Sequence, residues 1–343
     1  MVSEETYRIH RTIIYCVVLV FEVFGLFGNL NLIVLTIRKK SLQTKYGLIL
    51  SFLAVLHTFC LIFELVDMSF SIAASVYSYR IHRTTCFFAI IPYIFIHSLQ
   101  TGTVWVLSLD LLITILFPIR YRTFYLSIYF PCIFALPFLY GTVTVIFGFI
   151  YLKDAELQMC NPPSALPPLV TAKWYYFMMV FTALTVFFYL SAFLLIYFKA
   201  RRNSQDIRFI EKKALKTLKF LISVFLILRC ITISLASILI ALGIDKEIIA
   251  LVQNHNIIVG VMAYSQNAYI CYFRSSEYRA LLQEQLSKIH PRLGAILPKN
   301  ERLSSLDQKQ TSVSVVKIKK NEKEGGQRML RKLMLMPRLS IRH

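Results

Sequence analysis

Acidic side chains are scarce in this chain: 18 Asp and Glu stand against 38 Lys and Arg, and charged residues of either sign make up only 16% of 343 residues. Ordinary soluble domains carry about a quarter, so the shortfall argues against a soluble enzyme. No Asn-X-Ser/Thr acceptor occurs, so N-glycosylation is not expected. Also missing are a glycine loop for phosphate, a His/Cys cluster with metal-ligand spacing, and a nucleophile with a nearby base. The reading is therefore not an enzyme, with no cofactor and no metal. Internal repeats and broken helix pairs are absent too, which counts against a transporter.

What the chain has instead is apolar length. It is 57% hydrophobic and 14% aromatic, with a mean hydropathy of +0.60. Seven stretches are almost free of charge: 13–37, 46–75, 86–109, 123–152, 174–198, 220–244 and 248–273. At about 1.5 Å per residue, roughly 20 apolar residues cross a hydrocarbon core of about 30 Å. Lipid cannot pair with backbone N–H and C=O, so continuous apolar runs must be helices. The expected fold class is an all-α membrane protein, a seven-transmembrane-helix bundle.

The cations set its orientation. Arg38, Lys39, Lys40 and Lys45 follow the first stretch, Arg120 and Arg122 the third, and a basic run from Lys199 to Lys219 the fifth. Lys and Arg favour the cytoplasmic side, so the N-terminus is expected outside. The net charge of +20 invites a nucleic-acid reading, but residues 287–343 alone hold 14 Lys and Arg against 4 Asp and Glu. That tail is polar and broken by Pro and Gly, and is read as disordered, with anionic inner-leaflet lipid as one partner and plain solvation as the alternative.

Four segments follow: a short extracellular N-terminus (1–11), the membrane domain (12–273), an interfacial amphipathic helix (274–286) and the basic tail (287–343). The helix carries Tyr278, Leu281, Leu282 and Leu286 on one stripe. The first apolar run ends in a basic cluster rather than a small-residue cleavage site, so it is read as a span and not a signal peptide. Of seven cysteines, Cys16, Cys60, Cys132, Cys230 and Cys271 lie in spans as apolar fillers. Cys86 and Cys160 both face the oxidising side, where a disulfide is the natural reading and free thiols the alternative. Between spans four and five, Asn161-Pro162-Pro163 and Pro167-Pro168 predict a stiff, extended, non-helical loop.

Particular residues sharpen the class. Gly28-Asn29, the basic turn Arg38 to Leu42, Cys86-Phe87-Phe88, Gln100, Asp110 ahead of Phe117-Pro118-Ile119-Arg120-Tyr121, and Tyr272 to Arg279 stand in one order along the chain. Together they resemble the nematode chemoreceptors of serpentine receptor class sx, a rhodopsin-like group of G-protein-coupled receptors, over roughly residues 20–285. The resemblance implies a ligand pocket in the outer half of the bundle and a heterotrimeric G protein as partner. The chain departs from the wider rhodopsin-like pattern in four places. Asp110 is followed by Leu111-Leu112 where Arg-Tyr is expected, and His57 replaces an aspartate. Span six has no proline, and Asn267 is followed by Ala268. Coupling through the standard switch is what these departures put in question.

Candidate site residues follow from the cost of polar groups in lipid. Helix rise puts Asn29, His57, Gln100 and Asn267 roughly 10–17 Å from the inner surface, as one inner polar layer. A neutral imidazole cannot replace a carboxylate as a sodium ligand. The layer is thus either a sodium-free, proton-sensitive switch or an interhelical network that holds the bundle. Arg229 lies near the middle of span six, where a lone arginine costs about 2.5–3.5 kcal/mol on insertion scales. Glu64 is its first-choice partner, with Glu22 and Asp67 as alternatives. Glu64, His97, Arg229 and His255 form the candidate ligand pocket. Asp110, Arg120, Tyr121, Arg201, Arg202, Lys212, Lys216 and Arg274 form the candidate G-protein-facing set.

The reading is a multi-pass chemosensory receptor of the plasma membrane, with the sensory cilium as a candidate location, that binds an extracellular small molecule or peptide and signals to a G protein. Its rivals are a receptor that binds without coupling through the standard switch, and a seven-helix ligand-gated channel or transporter.

Overall fold

The computed structural model describes residues 4–77, 80–157, 160–202, 220, 223–224, 227–228, 242 and 246–289. Arg229, Cys230, Lys212 and Lys216, nearly all of the sixth expected span and the basic tail lie outside the described residues. The chain divides into two units, Met1–Ser275 and Ser276–His343.

The first unit is built from helices α1 (Glu4–Arg38), α2 (Lys45–Tyr77), α3 (Arg83–Leu116), the short α4 (Pro118–Thr123), α5 (Leu126–Ile150), the one-turn α6 (Pro162–Ala165), α7 (Pro168–Arg202) and α8 (Lys246–Arg274). Five of them contain stretches long and apolar enough to cross a membrane: Thr12–Arg38, Lys45–Ala73, Arg83–Leu116, Leu126–Ile150 and Pro168–Phe198. Ile257–Phe273 in α8 is a shorter apolar helix. Phe24, Phe27 and Leu30 on α1, and Phe138, Leu139 and Ile146 on α5, are exposed. A continuous apolar exterior of this kind is untenable in water and suits a lipid surround.

Apolar burial does not drive helices together in lipid, so close packing and interhelical hydrogen bonds must. α3 is the axis of that packing. In its most apolar window 67% of residues are buried, against 17% for α7, and it packs on α2, α5 and α7, while α1 packs on α2 and α8. Small and hydroxylated residues allow this. A Cβ at Gly102 would stand 2.6 Å from the Pro137 Cβ and one at Gly148 2.7 Å from the Phe87 ring, so the rigid proline requires glycine at 102, while a side chain at 148 would have to displace the ring. Ser98, Thr101 and Thr103 return their hydroxyls to the carbonyls of Ile94, His97 and Leu99, which satisfies each polar group on its own helix.

Two boundaries differ from the sequence reading. α3 runs on to Leu116 rather than stopping near residue 109, so Asp110 sits inside the helix. The prolines expected to keep the loop non-helical instead start helices: Pro162 and Pro163 open α6, capped by Asn161 accepting from the Ser164 N–H at 3.0 Å, and Pro168 opens α7. Proline's fixed φ suits the first turn, where its missing N–H has no partner to lose.

In the second unit, α9 (Ser276–Ile289) buries Tyr278, Leu282 and Leu286 and exposes Glu277 and Lys288. Of the stripe expected from the sequence, Leu281 is the member that is only half-buried.

Candidate functional site

The start of α3 is pinned from three directions. Cys86 and Cys160 are bonded, with Cα atoms 5.5 Å apart. Strands β1 (Ile81–His82) and β2 (Glu156–Leu157) pair antiparallel, Ile81 against Leu157 and His82 against Glu156. Asp154 then reaches the first turn of α3, where backbone N–H groups have no helical partner. One carboxylate oxygen accepts from the Thr84 N–H at 3.2 Å and its hydroxyl at 2.9 Å, and the other lies 2.9 Å from His82 Nδ1. These bonds to the ionised form, the Thr84 backbone N–H foremost, hold Asp154 down at about 2.

Seven residues into α3 from the disulfide, or about 10 Å, an aromatic group begins. The Tyr93 ring stacks on Phe63 at 5.5 Å and meets His97 at 5.9 Å, and His97 in turn meets Trp174 at 5.1 Å and Tyr264 at 6.2 Å. Trp174 Nε1 donates to Ser98 Oγ at 2.9 Å, and the Tyr140 hydroxyl donates to the Trp174 carbonyl at 2.9 Å. Helices α2, α3, α5, α7 and α8 thus all contribute to this half. The Tyr93 hydroxyl donates to Glu64. The ring of His255 lies 5.5 Å from that of His10 on α1.

Deeper in the bundle the expected polar layer is assembled on His57, which is wholly buried. Its Nε2 lies 3.2 Å from the Gln100 amide and its Nδ1 2.9 Å from the Asn267 amide. A neutral imidazole has one N–H and one lone pair, so one amide must offer its oxygen and the other its NH₂. Asn29 joins through the backbone, donating to the Tyr264 carbonyl at 3.0 Å. His57, Gln100 and Asn267 therefore tie α2, α3 and α8 at one level.

At the far end, Asp110 is not presented at the surface. It is 2% exposed, because one carboxyl oxygen accepts from Tyr121 at 2.9 Å and from Tyr129 at 2.7 Å. This corrects its expected place among the partner-facing residues: it can act on that face only by positioning others. Lys45, at the start of α2, donates to the Tyr121 carbonyl and lies 4.4 Å from the centre of that ring, a cation over an aromatic face. Arg120 is exposed on α4. Arg201 and Arg202 close α7 and Arg274 closes α8.

Sequence reasoning missed Tyr93, Trp174, Tyr129 and the role of Lys45. The signal was there for Tyr129: an acid in an apolar span needs donors, and tyrosines follow Asp110 at 121 and 129.

Apolar helices around a disulfide-pinned central helix, with polar side chains turned inward, define a multi-pass membrane protein. The family model for the serpentine type 7TM GPCR chemoreceptor Srsx matches residues 22–286, and the chain belongs to that family. It is a G-protein-coupled chemoreceptor by family, and the family is not one of enzymes. A comparison with curated proteins found no match.

Proposed function

We propose that this chain crosses the plasma membrane seven times with its N-terminus outside, takes up an extracellular small molecule or peptide in the half of the bundle below the disulfide, and signals to a heterotrimeric G protein. On this reading 1–11 is the extracellular N-terminus, 12–273 the receptor domain, 274–286 the interfacial helix and 287–343 the cytoplasmic tail. The sensory cilium is the candidate location. The observation that carries the reading is the family match, joined to a half-bundle in which His97 is ringed by Tyr93, Trp174 and Tyr264.

A ligand acts to the extent that it binds the active arrangement more tightly. The ligand half and the Asp110 end are joined by α3, through His97, Gln100 and Asp110 in turn. The partner-facing surface comprises Arg120, Tyr121, Arg201, Arg202, Lys212, Lys216 and Arg274. A second reading, a receptor that binds but does not couple by the standard switch, is favoured by one observation: Asp110 is held by tyrosines, with leucine in place of the following arginine.

A ligand screen in cells with a broadly coupled G-protein reporter tests the first reading, with responses expected that vanish when the G protein is removed. Ligand-evoked current in a membrane lacking G proteins would replace it with a channel.

A further inference from the structure

Three acids lie in the disulfide half of the bundle on two neighbouring helices: Glu22 on α1, and Glu64 and Asp67 one turn apart on α2. Glu22 is 1% exposed and Asp67 6%. Glu64 is within electrostatic range of both. Glu64 has the Tyr93 hydroxyl as donor. Glu22 and Asp67 do not fare as well: all four of their carboxyl oxygens lack a hydrogen-bond partner among the described residues, and neither joins an ion pair there.

Burying one carboxyl without a donor is costly, and gathering three multiplies the cost. Acids kept inside a membrane bundle on those terms mark a site for a complementary charge. The surroundings select its kind. Phe63 and Tyr93 form a stacked pair beside Glu64, and Tyr93 continues through His97 to Trp174 and Tyr264. Aromatic faces beside carboxylates suit a weakly hydrated organic cation. Among the described residues no three acidic, histidine or cysteine side chains converge closely enough to hold a metal ion. Nor is the lipid-side groove on α2 the site. It is lined by Ile62, Leu65, Val66, Ser69, Phe70 and Ala73, at helical spacing on the face opposite Glu64 and Asp67.

We infer that Glu22 and Asp67, with Glu64 and Tyr93 beside them, form a receptor site for a small organic cation bearing at least one ammonium group. The inference rests on the proposed ligand half of the receptor and names the ligand's chemistry. Glu22 and Asp67 supply the counter-charge from two helices, so the cation bridges α1 and α2. The Tyr93 and Phe63 rings wall its apolar part.

The test uses purified full-length chain in nanodiscs, without G protein, and reads the thermal midpoint against concentration of phenethylammonium, putrescine dication and tetramethylammonium. Phenethyl alcohol and butanediol are the uncharged controls. At least one cation is expected to raise the midpoint saturably while the controls do not. Glu22→Gln and Asp67→Asn should each raise the half-saturating concentration roughly tenfold or more. Both remove an unpartnered buried acid, so both should fold, and the unliganded midpoint checks that they do. No saturable shift from any cation overturns the inference. So do equal shifts from the alcohols, shifts unchanged in both variants, or stabilisation by acid pH alone. Signalling without cation binding would leave the proposed function standing and remove only this site; cation binding without G-protein signalling would do the reverse.

Discussion

Tyr129→Phe removes one hydroxyl from the buried end of α3 and leaves the ring in place, which isolates a single hydrogen bond. The lost bond is 2.7 Å long and ends on the Asp110 oxygen that also accepts from Tyr121. Hydrogen bonds to ionised groups contribute about 1.5–3 kcal/mol in soluble proteins, whereas interhelical ones in a membrane bundle average about 0.6 and reach about 1.7 kcal/mol. Two donors share one oxygen, so Tyr121 partly compensates. The expected cost is about 1 kcal/mol. Asp110→Asn keeps an acceptor but weakens it, so Tyr129→Phe on that background should cost roughly half as much. The assay is equilibrium unfolding of the purified chain in mixed micelles across the four proteins of the cycle. Additivity, with Tyr129→Phe costing the same in both backgrounds, would refute the claim that Asp110 is what holds Tyr129. Lys45→Met should then lower the cost of Tyr121→Leu, because leucine lacks the ring face on which that cation is seated.

Breaking the Cys86–Cys160 bond opens a loop spanning 74 residues, which chain entropy values at up to about 4.5 kcal/mol; helices that persist in the membrane lower that bound. Cys86→Ser and Cys160→Ser are expected to cut surface delivery equally, and peptide mapping that finds both thiols free in surface receptor would reject the bond. Asp154 titrates at about 2 in the fold against about 3.9 unfolded. Its hold on Thr84 is therefore present above about pH 4 and lost as pH falls toward 2. Pepsin cleavage of the loop should rise over that window, while Asp154→Asn should be cleaved readily at pH 4 already; matching profiles would refute this. On the sequence expectation that Arg229 pairs with Glu64, Arg229→Ala and Glu64→Ala should each reduce surface expression, with the double variant costing much less than the sum. Small, additive effects would separate the two residues.

The polar layer was legible because a helix converts residue count into depth. Counting back from the ends of four apolar runs put Asn29, His57, Gln100 and Asn267 at one level, and His57 does meet Gln100 and Asn267 there. Which groups bond to which was not legible, since azimuth depends on how α3 packs against its neighbours. Asn29 shows this: it has the right depth but reaches the backbone carbonyl of Tyr264. Asp110 was misplaced for another reason. The third apolar run was expected to end near residue 109, yet nothing in Leu111 to Leu116 stops a helix, and α3 ends at Leu116, ahead of Pro118. The prolines at 162–163 and 167–168 were read as barriers although proline bars a helix interior and not its first turn. Tyr93 gave no signal, because one more aromatic in an apolar span is unremarkable until an acid on the next helix faces it.

α3 is tied at every level: by Cys86 and Thr84 at one end, by Ser98 to Trp174 and Gln100 to His57 midway, and by Asp110 to Tyr121 and Tyr129 at the other. A rod fixed at so many points is a ruler. Distance labels placed along it would give a common reference frame for the helices packed around it, so a change in any one distance could be assigned to a pair of elements.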